Sequence, residues 1–214
     1  MSNGFDPPGF KRVHGLLWPE MDISRAKVIF HQLDSIDKVL KHVTNFSQCV
    51  QAGGNCGLWP LALAKRFNEV YTAEPHPLNF YALRENTKDV NNIFTMNCAL
   101  GQEPGFVHME SEPHELRNCG AFYVKNGGDI PVKRIDDMEL QSCGLIYLDV
   151  EGFEEPALRG AEHIIRTDRP VIVVEAKGIA KRYGLTDQSC ADFIKSLGYQ
   201  EAQKTNRDVI YTPA

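Results

Sequence analysis

No apolar run in the 214-residue chain approaches the ~20 residues a membrane-spanning helix needs, so no membrane partner is expected. The opening MSNGFDPPGF lacks a charged start followed by an apolar core, and no secretory signal is expected. None of the six cysteines (Cys49, Cys56, Cys98, Cys119, Cys143, Cys190) forms a C-x-x-C pair. Zinc-ligand spacing is therefore missing, and free thiols in a reducing cytoplasm are the simplest reading. His108 and His114 flank an acidic loop but lack ligand spacing, so no metal is expected there. A G-x-x-x-x-G-K-[ST] loop for the phosphates of ATP or GTP is absent. The formal charge of −5 and the lack of a basic stripe argue against a nucleic-acid partner.

What is present is an alternation of strand and helix patterns. Residues 34–45 have helical spacing, with Ile36, Val39, Leu40 and Val43 on one face. Strand patterns fall at 49–52, 69–73, 93–100, 145–148, 171–175, 199–203 and 208–212. Helices are predicted to about Phe67 after the first of these, and over 77–90, 153–166 and 186–197. Short β-like runs at 105–109 and 131–135 read as an added hairpin. The unbroken apolar run Leu145–Leu148 suits a strand buried on both faces. Together these predict one α/β domain over 34–214. Its core is a doubly wound, mostly parallel seven-stranded sheet, whose last two strands pair antiparallel. Residues 1–33, rich in Pro, Gly and aromatics, read as an N-terminal arm or lid.

The most informative stretch is CVQAGGNCG, residues 49–57. An apolar strand ends in glycines, and a helical pattern follows at once. Such a turn lets a ligand approach the backbone and places it at a helix N-terminus. The next strand ends in Glu74, the usual place for an acid that holds both hydroxyls of a ribose. Only Gly53, Gly54 and Gly57 of a dinucleotide fingerprint are present, so a cofactor with ribose but no pyrophosphate fits best, such as S-adenosylmethionine. In open sheets ligands bind beyond the carboxyl ends of the strands. That rule adds Asn97–Leu100, Asp149–Gly152 and Glu175 as candidates.

From VQAGGNCGLWPLALAK, AEPHPLNFYALRENTKDVN, NCALG, the NCGAF loop, LIYLDVEGFEEPALRGA and PVIVVEA, the chain resembles the class I S-adenosylmethionine-dependent methyltransferases, and more closely the FkbM-type group. The resemblance implies a Rossmann-like methyltransferase fold. It implies that Gln51, Gly53, Asn55, Gly57, Glu74, Pro75, Ala99 and Asp149 bind the cofactor. Gln51 departs from the pattern: it stands where the family usually has an acid that seats the cofactor's amino group, and an amide can accept a hydrogen bond only without charge. Asp149 and Glu151 would lie where methyl and acceptor meet.

Transfer of a sulfonium methyl needs chiefly proximity and alignment, and a hydroxyl acceptor also gives up its proton. Asp149, Glu151 and Glu175 are the candidates for that task. His14, Trp18, Asn118 and Gly120 are weaker candidates for substrate contact; Trp18 could equally anchor the arm. The leading expectation is O-methylation of a small molecule or sugar, the O-preference coming from the resemblance. The alternatives are a non-catalytic S-adenosylmethionine-binding protein, a methyltransferase acting on nitrogen, and a nicotinamide-dependent oxidoreductase, which the incomplete fingerprint disfavours.

Overall fold

The computed structural model describes residues 6–23, 33, 36–205 and 207–214. The chain opens with a hairpin, β1 (Phe10–Val13) and β2 (Leu16–Pro19). The helical pattern at 34–45 yields a short helix, Ile36–Leu40; Asp34 and Ser35 lie outside the described residues. Strands β3 (Gln48–Ala52), β4 (Glu69–Ala73) and β5 (Ile93–Met96) alternate with helices Leu58–Leu63 and Pro77–Thr87. A second group follows: β6 (Ala99–Leu100), β7 (Gly105–Glu110), β8 (Tyr123–Asn126) and β9 (Ile130–Lys133). The chain then returns to the main sheet with β10 (Cys143–Leu148), β11 (Val171–Glu175), β12 (Tyr199–Lys204) and β13 (Asp208–Pro213).

The main sheet has seven strands in the order β12-β13-β11-β10-β3-β4-β5. It is a mixed sheet, with one strand reversed among its neighbours. The five strands from β11 to β5 pair in parallel, whereas β13 runs antiparallel to both β11 and β12. Every residue of β3, β10 and β11 is buried. Side chains alternate between faces along a strand. Accordingly Val50, Ile146, Leu148, Ile172 and Val174 join one apolar cluster, while Cys49, Leu145, Tyr147, Val171 and Val173 join another. This two-sided burial is why the strands read as unbroken apolar runs. The chain leaves β3 toward β4 and later leaves β10 toward β11, in opposite directions, so the crevice at the carboxyl ends of β3 and β10 is the switch point of the sheet.

Three local expectations change. The strand read over 93–100 divides, because the Asn97 amide donates to the backbone oxygens of Glu74 (2.9 Å) and Pro75 (3.1 Å) and the chain turns there into a second sheet. The expected hairpin is a four-stranded sheet, β6-β9-β7-β8. The helix read over 153–166 breaks into Glu154–Arg159 and Glu162–Asp168 at Gly160. A side chain at Gly160 would overlap the carbonyl oxygen of Gly101, so the break lets two backbones touch.

Candidate active site

The turn after β3 is shaped by contacts that leave no room for side chains. Gly53 has φ +80°, and a Cβ there would overlap the Asp149 carbonyl oxygen. The Gly53 and Gly54 N–H groups both donate to the Ala73 carbonyl, at 3.1 and 3.0 Å. Asp149 N–H donates to the Ala52 carbonyl at 3.1 Å, so the ends of β3, β4 and β10 are laced together. Gly57 serves packing: a Cβ there would lie 3.2 Å from Leu83 and 3.3 Å from Thr87 on helix Pro77–Thr87.

Glu74, at the end of β4, is buried. Its Oε2 accepts from the Asn55 backbone N–H and its Oε1 from that of His76, both at 2.7 Å. An ionised carboxylate has about four acceptor sites, so each oxygen keeps capacity for a further donor. Burial dominates its titration, pushing the pKa up to about 7 against the opposing pull of the two N–H groups.

One cavity of about 670 Å³ lies over these strand ends. That volume falls within the range of small-molecule and cofactor sites. Of the residues singled out from the sequence, Gly53, Asn55, Glu74, Pro75, Ala99, Asp149 and Glu151 line it, as do Trp18, Asn118 and Gly120. Gln51, Gly57, Glu175 and His14 are not among the lining residues. Gln51 is fully buried, and its amide is engaged by the protein: Nε2 donates to the Ala52 and Gly53 carbonyls, each at 3.0 Å, and Oε1 accepts from Thr72 Oγ1 at 2.6 Å. It braces the turn from beneath. His14 is an exposed residue at the hairpin turn.

Asp149, Glu151 and Glu175 bring carboxylate oxygens within 4.8 Å of one another. Two cations answer them. Lys177 Nζ reaches Glu151 Oε1 at 3.0 Å and Glu175 Oε2 at 2.6 Å, and Arg207 Nε donates to Glu175 Oε1 at 2.9 Å. The chain's own ammonium thus occupies the place between the carboxylates where a cation would be drawn. Burial raises the Glu175 pKa to about 9, with the Asp149 charge adding to it. Burial also raises that of Glu151, opposed by Lys177. Lys177 loses by burial but gains more from the three carboxylates, and its pKa rises. Behind the cluster, Glu154 is buried with Oε1 accepting from the Val150 and Gly152 N–H groups, at 3.1 and 3.3 Å.

The cavity has a roof drawn from two segments. Trp18, fully buried, donates from Nε1 to Asp22 Oδ2 at 2.5 Å and packs with Cys56, Ala82 and Cys119. Asn86 holds the hairpin down: its Oδ1 accepts from Leu17 N–H (2.7 Å), and its Nδ2 donates to the carbonyls of Leu17 (2.9 Å) and Cys56 (2.7 Å). Asn79 Nδ2 donates to the Cys119 carbonyl at 2.7 Å and so fixes the 118–122 loop. The sequence reading missed Lys177, Arg182 and Arg207, which also line the cavity. Lys177 stands two residues beyond the β11 end, where the strand-end rule could have found it; nothing local marks the two arginines.

The methyltransferase FkbM domain matches residues 51–201, and the chain belongs to that family. Membership makes S-adenosylmethionine its cofactor. Among solved structures, the chain is similar to the methyltransferase FkbM from Methylobacillus flagellatus at 18% identity and TM-score 0.52; the match covers 90% of this chain and 55% of that one. The present chain therefore spans little more than half the length of that relative. It is also similar to SMU.1697c from Streptococcus mutans, solved in complex with SAH, at 12% identity and TM-score 0.51, covering 85% of this chain and 97% of that one. A third similarity is to the N-methyltransferase NodS from Bradyrhizobium japonicum, at 11% identity and TM-score 0.53, covering 89% and 99%. These likenesses concern the fold. No curated protein matches. No helix among the described residues is long and apolar enough to cross a membrane.

Proposed function

We propose that this methyltransferase acts on a hydroxyl group of a small molecule or sugar. The observation that carries the reading is that one cavity has the buried Glu74 on one wall and the Asp149–Glu151 pair on another. When bound, S-adenosylmethionine supplies a methyl group already activated on sulfur. The chain's residues have to place it and to handle a proton. Glu74 would take the ribose hydroxyls on its remaining acceptor sites, beside the backbone of Asn55 and Pro75. Ala99 would border the adenine, and the Gly53 turn would pass under the methionine part. These residues fit the cofactor, because Glu74 keeps open acceptor capacity toward the cavity and the turn is free of side chains at Gly53 and Gly54.

Glu151 is the best placed of the three acids to accept or orient an acceptor hydroxyl. It lines the cavity, and burial lifts its pKa toward that of a useful base. Asp149 shares the wall. Glu175 acts behind them, holding Lys177 and Arg207 in place. Trp18, Asn118 and Gly120 would shield the site from water; within the arm 1–33, it is the β1–β2 hairpin that would be held against the domain 34–214, through Leu17 and Asn86. Six buried free thiols fit a cytoplasmic setting.

The test is incubation with S-adenosylmethionine and matched hydroxyl and amine acceptors, with S-adenosylhomocysteine and the methylated product read by mass spectrometry. Methylation at oxygen supports the reading, and methylation confined to nitrogen sinks the O-directed part. Cofactor binding without turnover on any acceptor would make the protein a binder.

A further inference from the structure

The cavity holds one arginine that forms no salt bridge among the described residues. Three Lys or Arg side chains line it: Lys177, Arg182 and Arg207. Lys177 is bonded to Glu151 and Glu175, and Arg207 is bonded to Glu175. Arg182 differs. Its Nη1 is buried and makes no hydrogen bond, and among the described residues its guanidinium has no carboxylate partner. Its guanidinium lies over the ring of Tyr123, with Cζ 3.9 Å from the centroid. Stacking on a ring engages the charge but leaves the in-plane N–H donors unused. Glu151, whose carboxyl feels the Arg182 charge, bonds Lys177 instead. Nη1 itself is covered, so an acceptor that arrives with a ligand would meet the rest of the fork, which lines the cavity wall with no carboxylate bonded to it.

Position favours the acceptor over the cofactor as that ligand. Arg182 lies on the segment after β11, together with Lys177 and Ile179 of the cavity wall, and stacks on β8 of the accessory sheet. Glu74 and the glycine turn belong to other strands. Resting on the methyltransferase reading above, we infer that the methyl acceptor carries an oxyanion, a carboxylate or a phosphate, and that Arg182 binds it. A guanidinium presents paired N–H donors that match the two oxygens of such a group. Stacking on Tyr123 would fix the plane of the fork before the ligand enters. Arg182 would then set specificity, discriminating an acidic acceptor from its neutral analogue.

The experiment measures binding by calorimetry, with and without S-adenosylhomocysteine, for matched probes: 4-hydroxybenzoate against 4-hydroxybenzyl alcohol, and glucose 6-phosphate against glucose. The benzoate and phosphate arms separate the two kinds of oxyanion. At least one anionic probe is expected to bind tenfold or more tightly than its neutral partner. Arg182→Gln is expected to abolish that preference and leave S-adenosylhomocysteine affinity unchanged. Arg182→Lys is expected to keep part of the preference, because it retains the charge but not the fork. If no anionic probe binds better than its neutral partner, or if Arg182→Gln keeps the full preference, the inference is overturned. Failure of S-adenosylhomocysteine to bind would instead sink the methyltransferase reading, since the probe comparison is also made on the protein alone.

Discussion

The backbone N–H of Asn55 donates to Glu74 Oε2 at 2.7 Å, so the glycine turn of one strand and the terminal acid of the next are joined directly. Asn55 sits at φ +45°, a left-handed conformation that Asn tolerates better than most residues. The turn thus positions the acid, and the acid holds the turn.

Replacing Glu74 with Gln should weaken S-adenosylhomocysteine binding by about 10- to 100-fold, the loss of charge-assisted hydrogen bonds worth ~1.5–3 kcal/mol. The pKa near 7 adds a pH signature. Ribose hydroxyls donate to the ionised carboxylate, so wild-type affinity should rise from pH 6 to pH 8. Calorimetry on Glu74→Gln should show no such rise; a rise of the same size would assign the titration to another group.

Gly53→Ala and Gly127→Ala form a pair. Both glycines have positive φ, +80° and +85°, but only Gly53 faces an atom that a Cβ would strike. Gly127→Ala should cost about 1–2 kcal/mol from the backbone conformation alone. Gly53→Ala should cost roughly 3 kcal/mol or more, since Asp149 must move. Urea denaturation checks both, and equal costs would mean that the β3–β10 crevice yields easily.

Glu154 carries a stability prediction. Burial lifts its folded-state pKa to about 7, above the ordinary carboxylate value. Between roughly pH 4.5 and 7 the unfolded chain releases this proton and the folded chain keeps it. Its contribution is therefore full below about 4.5 and is lost as pH rises to 7, on the order of 3 kcal/mol. Glu154→Gln should flatten that part of the stability profile measured by thermal melting. An unchanged slope would place the titration elsewhere.

Glu151→Gln should lower turnover by roughly 10²-fold or more, the typical contribution of a positioned general base, while S-adenosylhomocysteine affinity stays within a factor of a few. Calorimetry paired with single-turnover rates separates the two effects. The reverse pattern would make Glu151 a cofactor ligand.

The sequence carried the main sheet well because its strands are apolar runs bounded by turn residues. β4 and β11 fall where the pattern placed them, at 69–73 and 171–175. It failed where tertiary contacts decide. Gly160 looked like one residue of a helix, but its meaning lies in the Gly101 carbonyl, far away in the chain. Strand β8, YVKN, is too short and polar to announce itself. The cavity-lining positions Glu74 and Asp149 were legible because they end strands of an open sheet, where ligand crevices form. Arg182 and Arg207 were not, because they come from connections whose course the pattern does not fix. Gln51 was read as facing a ligand, yet its amide is spent on neighbouring backbone and Thr72.

The four-stranded sheet leaves and rejoins the domain at adjacent points. Ala99 and Leu100 pair in parallel with Val132 and Lys133, and the Gly101 N–H donates to the Lys133 carbonyl at 3.0 Å. Between those clasped ends, the excursion supplies Met109, Asn118, Phe122 and Val124 to the cavity. A change of chemistry within residues 105–130 should therefore alter that wall while Glu74 and the β3 turn, which belong to the main sheet, keep their own bonds.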